Sequence, residues 1–73
     1  MNTIGYKEIA FTDHLFAEYL AGRVGRVEPI ENFTIYHDKA GGKALAIVVY
    51  DNAKSTRRIL IRTEDYNAYY QIV

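Results

Sequence analysis

Seventy-three residues make one small domain, residues 1–73, with 49% hydrophobic residues, ten aromatics, one proline and no cysteine. That mixture excludes a disordered polyelectrolyte and a disulfide scaffold, and it leaves a thin core that removes only about 60% of the unfolded chain's surface from water. Nine basic residues balance nine acidic ones, a balance that weighs against a dedicated nucleic-acid binder, whose pI is usually clearly basic.

In chain order, Thr3–Tyr6 reads as a short edge strand. The stretch from Met1 to Leu20 carries Lys7, Glu8, Asp13 and Glu18. It has neither a basic leader nor an unbroken apolar run, so no signal peptide or membrane span is expected, and a cytoplasmic location is. One clear helix starts at Thr12, placed to cap the first turn, with Asp13 against the positive end of the dipole and Phe11 and Phe16 at the two positions of a hydrophobic staple. Leu15, Phe16, Tyr19 and Leu20 form its apolar face, and Gly22 ends it. Arg23 to Glu31 reads as a connector, because Gly25 and Pro29 are both hostile to regular structure.

Three strands follow as an antiparallel meander. Phe33 to Asp38 alternates and stops at Lys39-Ala40-Gly41-Gly42, where the glycines permit positive φ in a hairpin loop. Ala44 to Tyr50 is apolar on both sides, as a central strand is when something covers each face or when one face is kept for a partner. After turn-forming residues at 51–56, Arg58, Leu60 and Arg62 alternate with Ile59, Ile61 and Thr63. The tail, with Tyr66, Tyr69 and Tyr70, reads as a short helix or a strand. The expected fold is therefore α+β, one N-terminal helix packed on a three-stranded antiparallel meander.

Pairing Ile47 with Ile35 on one side and Ile61 on the other places Phe33, Ile35, Leu45, Ile47, Val49, Ile59 and Ile61 on a core face under the helix. The same register puts Thr34, Tyr36, Ala46, Val48, Tyr50, Arg58, Leu60 and Arg62 on the opposite face. Tyr and Arg are enriched at interface centres, so that face reads as a binding surface. Its ordinary alternative is that Tyr66, Tyr69 or Tyr70 folds back over Val48 and Leu60.

Charge is unevenly spread. Met1 to Asp38 holds three basic residues (Lys7, Arg23, Arg26) against six acidic (Glu8, Asp13, Glu18, Glu28, Glu31, Asp38), a balance of −3. Lys39 to Thr63 holds six basic (Lys39, Lys43, Lys54, Arg57, Arg58, Arg62) against Asp51 alone, a balance of +5. Such a basic middle attracts acidic surfaces.

Chemistry-bearing motifs are sparse. Ser55 stands on a loop with only His14 and His37 in the chain to activate it, which argues against a hydrolase and against enzymatic function in general. His14 and Glu18, four apart on a helix, could supply two metal ligands, but a solvated face explains them as simply. His37 reads as a partly buried strand-end residue. Gly22-Arg23-Val24-Gly25 has the spacing of a KH clamp without its two flanking helices, and Gly41-Gly42-Lys43 lacks the spacing of a phosphate loop. No cofactor is called for.

What remains is a protein-binding module that occupies a surface of a larger, acidic partner. Phage and mobile-element inhibitors of host defence, anti-CRISPR and antirestriction proteins among them, have this size and character. The expected contact residues are Tyr36, Tyr50, Arg58, Leu60, Arg62, Tyr66, Tyr69 and Tyr70. Nucleic-acid binding through the basic hairpins is the alternative reading, and a homodimer is a further expectation from the thin core and the apolar second face.

Overall fold

The computed structural model describes residues 4–51 and 57–71. It is an α+β fold in which β1 (Tyr6–Ile9), α1 (Asp13–Leu20), β2 (Val24–Ile30), β3 (Phe33–Asp38), β4 (Ala44–Tyr50) and β5 (Arg57–Arg62) precede a 3-10 turn (Thr63–Asp65) and a one-turn helix, α2 (Tyr66–Tyr69). The five strands form one sheet in the order β1-β5-β4-β3-β2, with every neighbouring pair antiparallel. No helix among the described residues is long and apolar enough to cross a membrane.

Helix α1 begins where the sequence places it, but Thr12 caps it with its backbone rather than its side chain. Thr12 is extended, its hydroxyl makes no capping bond, and its carbonyl accepts from the Phe16 amide at 2.9 Å. Phe11 and Phe16 do meet, edge to face with centroids 6.2 Å apart, and Gly22 adopts the left-handed conformation (φ +73°) that ends the helix.

The meander has two strands more than the three read from the sequence. At the N-terminus the strand lies at Tyr6–Ile9, not Thr3–Tyr6, and pairs with β5; Thr3 is outside the described residues. The supposed connector is strand β2. Both residues that argued against it occupy positions an edge strand tolerates. Gly25 sits at an irregularity between Val24 and Arg26, where an added Cβ would come within 2.6 Å of the Lys39 Cα. Pro29 stands opposite Thr34, one position before the Ile30–Phe33 pair that closes a two-residue turn. In that register its missing N–H would have pointed away from β3, so no ladder bond is lost.

Register decides which side chains share a face. Ile47 opposes Ile35 as expected, but across β5 it opposes Leu60, not Ile61. The slip of one residue moves the alternation of β5 relative to β4. Tyr36, Ala46, Val48, Tyr50, Ile59 and Ile61 consequently lie on one side, and that side carries the helices. Buried Ile9, Phe16, Tyr19, Leu45, Ala46, Val48, Ile59, Ile61 and Tyr69 form the core there. Leu45 joins them because Tyr36 pairs with Ala46 and His37 with Ala44, leaving Leu45 as the extra residue of a bulge. Phe33, Ile35, Ile47 and Val49, expected beneath the helix, are on the other side. Ala46 is fully buried in that core, and Tyr36 and Phe16 meet edge to face with ring centroids 5.7 Å apart.

Candidate interaction surface

The eight contact residues expected from the sequence do not form one patch. Tyr36 and Tyr50 pack against the helix-side core with Tyr66, and Tyr69 is part of that core. Tyr70 is 45% exposed and its hydroxyl accepts from the Ala10 amide at 3.1 Å. The tail thus covers the helix side of the sheet, and Leu60, on the other side, is itself 8% exposed.

Arg58, Leu60 and Arg62 alternate onto the opposite side, but the two arginines differ. Arg58 donates through Nε and Nη2 to Glu8 Oε1 at 3.2 and 2.8 Å across the β1–β5 ladder, and stays 65% exposed. The bond from Arg58 holds the Glu8 carboxyl below its ordinary range. Arg62 is 16% exposed and clamped internally, Nε to Asp65 Oδ2 at 2.6 Å and Nη1 to Asp38 Oδ2 at 2.8 Å. Burial alone would lower its pKa; the two carboxylates more than offset that and fix its charge. The Asp38 carboxyl is held low by the Ala40 amide and then by Arg62. Tyr19 completes this clasp, its hydroxyl 2.9 Å from Asp65 Oδ2 and 3.0 Å from the Leu45 carbonyl. Arg62 therefore ties β5 to β3 through Asp38 and to Tyr19 of α1 through Asp65, and little of its side chain meets solvent.

The surface lies on the helix-free side. Reading across the sheet, the paired positions Glu8, Leu60, Ile47, Ile35 and Glu28 make one row, and Arg58, Val49, Phe33 and Ile30 make the next. Each row is apolar at its centre, and its charges stand at the margins. Glu8 is paired by Arg58, and Glu28 by His37 at 2.8 Å and Arg26 at 3.7 Å. Between these margins is a groove of about 390 Å³ lined by Tyr6, Ile30, Phe33, Ile35, His37, Gly42, Ala44 and Ile47. Tyr6 closes one end by donating its hydroxyl to the Ala44 carbonyl at 2.7 Å, and burial raises its pKa and keeps it a neutral phenol.

Only Leu60 and Arg58 of the expected contacts border this surface. Phe33, Ile35, Ile47 and Val49 were legible as apolar, and the sequence signal that could have placed them here is the absence of any polar face in β4. Among the described residues no group of three His, Asp or Glu gathers at His14 and Glu18 or elsewhere to hold a metal ion. Comparison with protein-family models, with curated proteins and with solved structures gives no match.

Proposed function

We propose that this chain is a non-enzymatic protein-binding module that acts by occupying a surface of a larger partner, and that the helix-free sheet face is what it presents. The observation that carries the reading is the pattern of the two rows: one has an apolar centre bounded at both edges by charges already paired within the chain, and the other runs from Arg58, paired with Glu8, through Val49 and Phe33 to Ile30. Protein interfaces have this anatomy, a dry centre inside a polar rim. A sheet with helices on one face is already two layers, so its other face is free to meet water or a partner.

Three of the cations that would serve a nucleic acid are engaged within the chain. Arg62 is clasped, Lys43 pairs with Glu64 at 3.3 Å, and the Arg57 guanidinium lies 4.2 Å over the Phe11 ring. A second copy laid face to face about a two-fold axis centred on Ile47 and parallel to the strands would set Glu8 against Glu28, which share a row. That juxtaposition of like charges favours a different protein as partner.

The test compares the partner captured by the wild type with binding by Phe33→Asp, on the groove, and by Ala17→Asp, exposed on α1. Loss of binding for Phe33→Asp with retention by Ala17→Asp, both variants melting near the wild type, is the expected result. Equal binding by both would place the interface elsewhere, and salt-sensitive retention of random RNA or DNA in a gel shift would establish the nucleic-acid alternative.

A further inference from the structure

Three side chains converge on one atom at the β2–β3 margin of the groove. His37 Nε2 is 2.8 Å from Glu28 Oε1 and 3.3 Å from Arg26 Nη2, and that Nη2 is 3.7 Å from the same carboxylate oxygen. Arginine only donates, and a ring nitrogen cannot donate to a carboxylate while accepting from a guanidinium. At 2.8 Å from Oε1, Nε2 carries the hydrogen. Arg26 is then left with the carboxylate alone, at a loose 3.7 Å, and its side chain is 64% exposed.

The balance at this margin consequently depends on a single proton. With His37 neutral, Arg26 and Glu28 cancel. A second proton on the imidazole, at Nδ1, sets two cations against one carboxylate. Among the described residues nothing else that faces the site supplies the missing negative charge. From β1 comes Tyr6, a neutral phenol; from β4 come Ala44 and Ile47; beyond Gly42, Lys43 is paired with Glu64; and on β3 the neighbouring Asp38 is engaged by Arg62. His37 itself lines the groove, so the excess charge appears beside apolar surface.

We infer that the groove takes an apolar side chain accompanied by a carboxylate of an acidic partner protein, that the carboxylate docks against Arg26 and His37, and that protonation of His37 tightens the contact. This rests on the helix-free face being the interaction surface. Charge complementarity selects the occupant: one anionic group is what the protonated margin lacks. Linkage fixes the direction, since a partner that binds the protonated form better must bind more tightly as pH falls and must draw a proton onto His37 when it binds.

Anilinonaphthalene sulfonate is a suitable probe, with an apolar body and one anion that stays ionised throughout. Its affinity for the full chain is expected to rise about fivefold or more between pH 8 and pH 5, as a coupling of ordinary size would give. His37→Gln should abolish that rise, and Glu28→Gln should give tight binding already at pH 8. Phe33→Asp should lose the dye at every pH. A His37→Gln variant that keeps the wild-type pH dependence overturns the inference while leaving the face as interaction surface. Dye binding that survives Phe33→Asp removes the groove reading itself. Should His37→Gln not fold, nitrogen NMR of the wild-type imidazole at fixed pH decides: dye must increase protonation of Nδ1, and an unchanged ring signal overturns the inference.

Discussion

Tyr69 meets Tyr19 edge to face with ring centroids 5.7 Å apart, and of these two fully buried tyrosines only Tyr19 has a partner for its hydroxyl. The ring of Tyr69 contributes core packing at the α1–α2 contact, whereas its oxygen has been taken from water without compensation. Removing an unsatisfied buried group of the same shape is neutral or favourable, and removing one that is bonded is not. Tyr69→Phe is expected to raise stability by about 1 kcal/mol and Tyr19→Phe to lower it by about 1 to 2 kcal/mol, read as midpoint shifts at constant slope in urea melts.

Acid should weaken the fold through the clasp. Asp38 is held below its ordinary value of 3.8 by the Ala40 amide and Arg62, so it stays charged in the folded chain at pH values where it protonates in the unfolded one. Its contribution is fully present above the ordinary carboxylate range and is lost as pH falls through the lowered folded value. Glu8 acts with the same sign. Thermal melts from pH 6 downwards should show a loss of stability below about pH 4 that is shallower in Asp38→Asn.

Alkali should weaken the fold as well, through the buried tyrosines. Burial is the largest cause of the raised pKa values of Tyr6, Tyr19, Tyr36 and Tyr69, and the Asp65 carboxylate adds to it at Tyr19. Their stabilisation is intact below the unfolded value and is lost as pH rises above about 10, where the unfolded chain alone ionises readily. Tyr19→Phe should flatten the alkaline limb of the melting curve measured against phenolate absorbance.

Glu31 carries a positive φ of 48°, unusual for a residue with a Cβ, in the two-residue turn between β2 and β3. Left-handed backbone costs an ordinary L residue about 1 kcal/mol or more, and asparagine far less. Glu31→Asn is therefore expected to stabilise by about 0.5 to 1 kcal/mol in equilibrium unfolding, with no change in a groove ligand's affinity.

At Gly25 the expectation reverses. A Cβ there would press on the Lys39 backbone, which cannot rotate away as a side-chain tip could. Gly25→Ala should cost about 1 to 3 kcal/mol, and hydrogen exchange should locate the damage at the β2–β3 pairing.

The parts of this fold that were legible in the sequence are those whose signals are periodic and local. Leu15, Phe16, Tyr19 and Leu20 announce α1, Gly22 ends it, and β3, β4 and β5 follow from their alternation and loops. Strand β2 was hidden because Gly25 and Pro29 are breakers in a central strand and harmless at an edge, and position in a sheet is not a local property. The side of the sheet that the helices leave open was hidden for a related reason. Both sides of β4 are apolar, so periodicity could not say which one α1 would cover, and nothing local to β4 or β5 fixes the register between them. His37 was visible only as a strand-end residue, because Glu28 and Arg26 reach it across the β2–β3 ladder.

The strand order also constrains when the sheet can be completed. Tyr6 opposite Arg62 joins positions far apart in the sequence, whereas β2, β3 and β4 each pair with the next strand along. Pairings between distant segments carry a larger loop-closure penalty and form more slowly. During refolding of the full chain, pulse-labelled amide exchange is expected to protect β3 and β4 before β1. During synthesis the constraint is stricter, because Ile9 leaves the ribosome with no strand to lie beside, and its side of the core stays open to water until β5 has emerged.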